Sequence, residues 1–177
     1  HIKNYDQMLK VAAAVGPIPV AIAAAHEYQV LAAAIEAQAR GIISAILIGD
    51  AKGISRIAHK HGLDLSALSI VDEPDSVMAG EKAMRLVAQG QAKVAVKGQM
   101  STSAFLHAAL KREAGLRTKR LVTHVGVFEV PGCDRLLFIT DGGVVLYPTK
   151  LQKVEIVSNG IAVAQWLGIQ QPKVALL

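Results

Sequence analysis

Short apolar runs recur at regular intervals through the first half of this chain. They are Ile18 to Ala24, Ile42 to Ile48, Leu68 to Val71 and Val94 to Val96. Apolar residues at helical spacing follow them, most clearly in Glu27 to Ala39 and Asp75 to Gln89. Apolar strands that alternate with helices are typical of a parallel sheet covered on both faces. We therefore predict a doubly wound, mostly parallel three-layer α/β domain.

Two of the predicted helices carry an acidic residue at the expected N-terminus. Asp50 precedes the third helix, and Asp75 follows Pro74 ahead of the fourth. A carboxylate at this position accepts hydrogen bonds from the N–H groups of the first helical turn. Both helix starts are therefore predicted from the chain itself.

The composition excludes several classes of protein. Hydrophobic residues make up 52% of the chain, yet no run of about 18 apolar residues is free of polar breaks, so no membrane span is expected. The N-terminal segment places Lys3, Asp6 and Lys10 among its apolar residues and shows no secretory signal. Cys133 is the single cysteine, which excludes an internal disulfide and fits a reducing cytoplasm. We expect a cytoplasmic protein.

The net charge of +5 favours anionic partners in general. Nucleic acid is not predicted as a partner, because the few aromatic residues are scattered and only one local basic cluster occurs. The members of this cluster are Lys111, Arg112, Arg117, Lys119 and Arg120. It is either a solvated basic face at a helix end or an attractor for a polyanionic ligand such as a phosphorylated cofactor.

The pattern changes near Gly115, where β-rich sequence begins. Leu121 to Val130 and Arg135 to Thr140 are joined by a Pro-Gly-Cys-Asp turn, which predicts a hairpin. A helix from about Leu151 to Trp166 follows, and the apolar run Lys173 to Leu177 is predicted as a buried strand.

These elements predict an N-terminal α/β domain over 1–117 and an incomplete second α/β domain, with hairpin, helix and strand, over 118–177. A domain seldom ends on an uncovered apolar strand, because its face and edge would be exposed. We therefore expect the chain to be the N-terminal portion of a longer protein.

The strongest candidate for a ligand site is the segment from Lys97 to Ser103. Gly98 permits close approach of a ligand to the backbone, and the following serine and threonine residues supply hydroxyl and amide donors at a helix N-terminus. This arrangement suits a phosphate or a phosphate ester. An ordinary Ser/Thr cap at a strand-to-helix turn is the alternative. The segment lacks both the P-loop and the dinucleotide-binding glycine patterns, so neither an NTPase nor a Rossmann dehydrogenase is supported.

Other candidate residues are weaker. His26 and Glu27 begin a metalloprotease-like pattern, but position 30 is Val rather than His. The acidic residues Asp72, Glu73 and Asp75 fit capping and turn roles better than a metal site. No metal site is predicted. His124 and Asp141 are candidates for proton transfer or orientation only if the fold brings them together.

A series of motifs spans nearly the whole chain and is densest between 97 and 141. They are Ile46 to Asp50, Lys97-Gly98, Met100, Thr102-Ser103, Phe105-Leu106, Gly115 to Thr118, Thr123 to Val125, Val127 to Pro131, Asp134 to Leu137, Ile139 to Asp141, and Gly168-Ile169 before Pro172 to Val174. In this combination the chain resembles the phosphate acetyl/butyryl transferase family, and its phosphate butyryltransferase branch more closely.

The resemblance implies transfer of an acyl group, butyryl or acetyl, between coenzyme A and inorganic phosphate, which yields acyl phosphate. Coenzyme A is then a substrate, and no bound cofactor is expected. The implied substrate-binding residues are Lys97, Gly98, Ser101, Thr102, Ser103, His107, Arg117, Thr123 and Asp141. A homodimer or higher homo-oligomer is also expected.

Two departures and one gap limit the resemblance. His107 stands where the family commonly has arginine, and Ala104 stands where an acidic residue is frequent. An imidazole binds phosphate more weakly than a bidentate guanidinium. The family's acid/base aspartate belongs to a C-terminal part beyond this chain, so no catalytic residue is assigned, and the chain alone is expected to be inactive.

Two other functions remain open from the sequence. One is a non-catalytic phospholigand-binding or assembly module with the same fold. The other is a related acyltransferase that takes its acyl group from acyl carrier protein, for which the basic corner at 111–120 would serve equally well.

Overall fold

The computed structural model describes residues 1–176, which form two compact units. One unit is Ala12–Thr118, and the other combines His1–Val11 with the chain from Lys119 onward. The first helix, α1 (Tyr5–Val15), contributes residues to both.

The Ala12–Thr118 unit alternates strands and helices as predicted. Its elements are β1 (Ile18–Ala23), α2 (Tyr28–Ala39), β2 (Ile43–Gly49), α3 (Ala51–His61), β3 (Ser69–Asp72), α4 (Ser76–Ala88), β4 (Val94–Lys97), α5 (Thr102–Leu110) and a 3₁₀ turn, Arg112–Ala114. The strands form one sheet in the order β3-β2-β1-β4, and every neighbouring pair is parallel. The predicted α/β fold with a parallel sheet is confirmed.

Alternate residues of β1 face opposite sides of the sheet and belong to two separate cores. Val20 and Ile22 pack with Leu31 of α2 and Ile54 of α3. Ala21 and Ala23 pack with alanines of α4. Small residues on this second face allow α4 to lie close to the sheet, while larger aliphatic residues fill the first core. The sheet is therefore covered on both faces, as the apolar runs predict.

The predicted caps are present at two helix starts. The Asp50 side chain accepts from the N–H of Lys52 at 3.1 Å, and Asp75 accepts from the N–H groups of Val77 and Met78 at 2.8 and 2.9 Å. These bonds satisfy amides that a helix leaves without partners at its first turn. The prediction of both helix starts is confirmed.

The second unit contains the predicted hairpin, with shorter strands than the sequence suggests. Strands β5 (Gly126–Glu129) and β6 (Leu136–Ile139) pair antiparallel, with Glu129 opposite Leu136. In the turn between them, the N–H of Cys133 donates to the carbonyl of Val130 at 3.0 Å. Helix α6 (Lys150–Trp166) follows and begins with a capping box formed by Thr149 and Gln152.

The predicted strand over Lys173 to Leu177 is wrong for the residues that the structure describes. Residues 173–176 are not in a strand, and Val174 and Leu176 are 52% and 74% exposed. A strand needs a neighbour to complete its hydrogen bonds, and within residues 1–176 no strand pairs with this segment. Leu177 lies outside the described residues.

Among residues 1–176, no helix combines the length and the apolar character that a membrane crossing requires.

Candidate functional site

The strand order places the predicted phosphate site at a change of direction in the sheet. From β1 the chain adds β2 and β3 on one side, and β4 then pairs with the other side of β1. In open α/β sheets, ligands bind beyond the carboxyl ends of the strands at such a switch point. The segment Lys97 to Ser103 leaves β4 at this place, next to the end of β1.

Backbone contacts hold the Gly98 turn against the end of β1. The Gly98 N–H donates to the carbonyl of Ala23 at 2.7 Å, and the Gln99 N–H donates to that of Ala24 at 2.8 Å. A β-carbon at Gly98 would lie 2.5 Å from the Ala24 oxygen, so only glycine fits. Ala24 itself has a φ of +53°, which is uncommon for a residue with a side chain.

Helix α5 begins directly after this turn. Ser101 is its N-cap, and the Ser101 hydroxyl oxygen accepts from the N–H of Ala104 at 3.1 Å. Thr102 and Ser103 occupy the first turn and are exposed, and the Lys97 ammonium donates to the carbonyl of Met100 at 3.3 Å. Exposed hydroxyls, first-turn amides and a nearby cation together make a site suited to an anion.

His107 lies on the same face of α5 as Ser103, because residues four apart in a helix are neighbours. Both side chains are exposed. Arg117, also exposed, follows the 3₁₀ turn in the same unit. In the basic cluster, Lys111 forms an ion pair with Glu81 of α4. At least this lysine therefore has a structural role.

Thr123 and Asp141 belong to the other unit, together with His124. The His124 N–H donates to Asp141 Oδ2 at 3.1 Å, and the Thr140 hydroxyl donates to the His124 carbonyl at 2.7 Å. Asp141 Oδ1 accepts from the N–H groups of Gly143 and Val144, both at 2.8 Å. The fold thus brings His124 and Asp141 together, and the hydrogen bond runs through the His124 backbone.

The pKa of the Asp141 carboxyl lies below its ordinary value. Burial, the largest single influence, acts to raise this pKa, but backbone N–H groups donate to the carboxylate and together outweigh it. The donors are the amides of Val144, His124, Gly143 and Val145. Asp141 is therefore held as a carboxylate that organises the loop after β6.

Two residues of α6 that contact Thr123 and its neighbours are not among the site residues predicted from the sequence. Asn159 donates to the Thr123 hydroxyl oxygen at 3.0 Å, and Glu155 accepts from the N–H of Leu121 at 2.9 Å. The available signal was their spacing: a polar pair four residues apart beside the buried Ile156 is unusual for the packed side of a helix.

The weaker acidic candidates have structural roles. Asp72 accepts from the N–H of Ala51 at 3.0 Å, and Glu73 pairs with Lys82 at 2.8 Å. Within residues 1–176, no group of three or more side chains is arranged to hold a metal ion. The His26 Nδ1 atom is buried, and no hydrogen-bond partner for it occurs in the described part of the chain.

This chain is similar to proteins that are named phosphate butyryltransferase and phosphotransacylase. Phosphate butyryltransferase from Clostridium beijerinckii is 43% identical over 98% of this chain, and that from Clostridium acetobutylicum is 41% identical over the same share. The crystal structure of a branched-chain phosphotransacylase from Enterococcus faecalis matches with a TM-score of 0.75 and 27% identity, covering 88% of this chain and 54% of that one. The chain spans 57% and 58% of the lengths of the two clostridial relatives.

The family model described as phosphate acetyl/butaryl transferase matches residues 77–177, which include the Gly98 turn, α5, the hairpin and α6. This match covers more than half of the sequence, and the structural match to the phosphotransacylase covers 88% of the chain. The chain therefore belongs to the phosphate acetyl/butaryl transferase family.

Proposed function

We propose that the protein containing this chain transfers an acyl group, butyryl or acetyl, between coenzyme A and inorganic phosphate. The observation that carries this proposal is the Gly98 turn at the switch point, with the exposed first turn of α5 behind it. Family membership and relatives named phosphate butyryltransferase support the same reaction.

The phosphate site is proposed to form around the start of α5. Gly98 lets the anion approach the backbone, while Thr102 and Ser103 donate hydrogen bonds from their hydroxyl groups and the helix N-terminus adds a positive potential. Ser101 keeps the helix start in place through its bond to Ala104. Lys97 and His107 are the remaining proposed members of this site.

Arg117, Thr123 and Asp141 are proposed as further substrate-binding residues. Arg117 supplies an exposed guanidinium for the phosphates of coenzyme A. Thr123 supplies a hydroxyl donor. Asp141 contributes through the loop that its carboxylate organises, since that carboxylate already accepts several backbone amides.

In the proposed reaction a phosphate oxygen attacks the thioester carbonyl carbon. The new C–O bond forms, the C–S bond breaks, and the thiolate leaves to be protonated as free coenzyme A. The protein must hold the two reactants in line and stabilise the charge that develops on the carbonyl oxygen. No catalytic residue is assigned within this chain.

We further propose a cytoplasmic homodimer or higher homo-oligomer, in which 1–117 form an α/β domain and 118–177 begin a second one. The single cysteine, Cys133, is exposed and free, which suits a reducing compartment.

The test is an assay of the complete gene product that contains this chain. We expect phosphate-dependent thiol release from butyryl-CoA or acetyl-CoA, and we expect Ser103→Ala to raise the KM for phosphate by about tenfold through loss of one hydrogen bond to an anion. Ser55→Ala, on the exposed face of α3, is the matched control and should behave as wild type.

Absence of thiol release with both donors would overturn the proposal. Coenzyme A binding without turnover would instead favour the non-catalytic phospholigand-binding module. The 177-residue chain assayed alone should show no turnover.

A further inference from the structure

Two side chains of α6 hold the segment that leads to Thr123. Glu155 Oε2 accepts from the Leu121 N–H at 2.9 Å, and Asn159 Nδ2 donates to the Leu121 carbonyl at 3.2 Å. The two side chains are one helical turn apart, so they bind both polar groups of a single residue in an otherwise irregular segment.

The chemistry of its neighbours fixes the orientation of the Asn159 amide. Asn159 Oδ1 lies 3.0 Å from an Arg120 guanidinium nitrogen, which can only donate. Asn159 Nδ2 faces the Leu121 carbonyl, which can only accept. The positions of the oxygen and the nitrogen of the Asn159 amide are therefore fixed, because the flipped orientation would place a donor against Arg120 and an acceptor against the Leu121 carbonyl.

This orientation determines the direction of the Thr123 hydroxyl. Asn159 Nδ2 lies 3.0 Å from Thr123 Oγ1, and because the amide nitrogen can only donate, the hydroxyl oxygen is the acceptor in this bond. The hydroxyl hydrogen must then point elsewhere. Within residues 1–176 the structure shows no acceptor for it, although Thr123 is half-buried. Thr123 thus presents a hydrogen-bond donor that is directed away from Asn159.

The residue after Thr123 also has both of its backbone polar groups hydrogen-bonded. The next residue, His124, has its N–H bound by Asp141 Oδ2 and its carbonyl bound by the Thr140 hydroxyl. A donor held on both sides does not have to reorganise when it meets a developing negative charge, and such preorganised donors are the ones that stabilise oxyanions.

We propose that Asn159, assisted by Glu155, is a positioning residue that directs the Thr123 hydroxyl hydrogen toward an oxygen of the bound substrate. The acceptor is either a phosphate oxygen or the carbonyl oxygen of the thioester, both of which accept hydrogen bonds. This inference rests on the proposed function, and Asn159 itself does not contact the substrate.

The experiment compares Thr123→Val, Asn159→Asp and the double variant in the complete gene product. Aspartate keeps the size of asparagine and the acceptor for Arg120 but has no N–H to donate. The Thr123 hydroxyl would then donate to that carboxylate and turn away from the substrate. Ser158→Ala is the matched control, because Ser158 is on the same helix, is exposed and donates to the Val154 carbonyl.

We expect kcat/KM to fall on the order of 10- to 100-fold in Thr123→Val and by a similar factor in Asn159→Asp. Both variants should change the same kinetic parameter. A rise in KM for phosphate identifies the phosphate oxygen as acceptor, whereas a fall in kcat identifies the carbonyl oxygen. The double variant should be no worse than Thr123→Val, because Asn159 acts through Thr123. Thr123→Ser, which keeps the hydroxyl, should restore most of the activity.

Multiplicative losses in the double variant, or an unchanged Asn159→Asp enzyme, would overturn the inference while leaving the proposed function intact. Circular dichroism of each variant separates these outcomes from loss of folding. If Asn159→Asp does not fold, Asn159→Gln, which displaces both donors by one methylene, should show the same change of kinetic parameter as Thr123→Val.

A second readout does not require turnover. Inorganic phosphate and coenzyme A are titrated separately into the ¹⁵N-labelled 177-residue chain, and the amide signals of Thr123 and His124 are followed. One of the two ligands should shift these signals in the wild type and bind more weakly, by a similar factor, in Thr123→Val and Asn159→Asp. Signals that respond to neither ligand would overturn the inference even if the gene product is an active acyltransferase.

Discussion

The half-buried Asp141 carboxylate binds backbone amides from two segments of the chain. Its two oxygens accept from amides on both sides, those of His124 before β6 and of Gly143 and Val144 after it. These donors stabilise the charged form more strongly than burial destabilises it, so the pKa of Asp141 is lowered. The same bonds order the loop that we propose to be part of the substrate site.

The lowered pKa of Asp141 predicts how stability depends on pH. A carboxyl whose pKa is lower in the folded state stabilises the fold above its unfolded pKa of about 3.9, and this contribution is lost as pH falls through the folded value. We expect Asp141→Asn to reduce the free energy of unfolding at pH 7 by about 1–2 kcal/mol. The difference from wild type should shrink as the pH is lowered below about 4.

Urea unfolding followed by circular dichroism between pH 7 and pH 3 measures this difference. Asp134→Asn removes the same charge from an exposed carboxylate in the hairpin turn and serves as the control. Parallel pH profiles for wild type and Asp141→Asn would contradict the assignment.

At the scale of the element, the connection from β4 to α5 depends on one close backbone approach. The Gly98 turn lies against the carbonyls of Ala23 and Ala24 at the end of β1. These carbonyl oxygens fill the space that a side chain would need, and because they are backbone atoms they cannot move without distorting the chain after β1. The strand, turn and helix are therefore positioned together.

We predict that Gly98→Ala destabilises the protein by about 1–3 kcal/mol, because the added methyl group would lie 2.5 Å from the Ala24 oxygen. It should also weaken phosphate binding, since relief of the clash moves the turn away from β1. Chemical denaturation and calorimetric titration with phosphate measure the two effects.

Gly80→Ala is the contrasting variant. Its added methyl group meets the flexible end of Met100 at 2.9 Å, and alanine favours the helical conformation by about 1 kcal/mol over glycine. We expect near-wild-type stability and phosphate affinity. Equal losses in the two variants would show that the approach at Gly98 is not the cause.

At the scale of the whole molecule, the two units differ in how much apolar surface they bury. In the Ala12–Thr118 unit, β1 has neighbours on both edges and cores on both faces. In the other unit, the two strands of the hairpin leave Phe128, Leu137 and Ile139 between 43% and 51% exposed. Local stability increases with the number of buried apolar contacts. We therefore expect the free energy of local unfolding to be higher in the Ala12–Thr118 unit than in the other.

Hydrogen exchange should reveal this difference. We expect amides of β1 and β2 to exchange on the order of 100-fold more slowly than those of β5 and β6 in the 177-residue chain. Mass spectrometry of peptic fragments, or amide NMR spectra recorded over time, gives the rates. Equal protection in the two sheets would contradict the prediction.

Much of the fold could be predicted from local sequence because its signals are local. Apolar runs such as Ile42 to Ile48 mark buried strands, and Asp50 and Asp75 mark helix starts through bonds to residues only two or three positions away. The hairpin turn was predicted for the same reason. The strand predicted for 173–176 is absent because a strand requires a neighbouring strand to complete its hydrogen bonds, and apolar composition does not provide one.

The same distinction between local patterns and distant contacts applies to the candidate site. The sequence by itself determined the family, the parallel α/β fold and the hydroxyl-rich turn at Lys97 to Ser103, since these follow from residue patterns along the chain and not from contacts between distant residues. Only the tertiary structure decided that this turn lies at the switch point beside β1, that Asp141 binds the His124 amide, and that Asn159 donates to the Thr123 hydroxyl oxygen. These contacts join residues far apart in sequence, and their geometry is set by the packing of whole strands and helices.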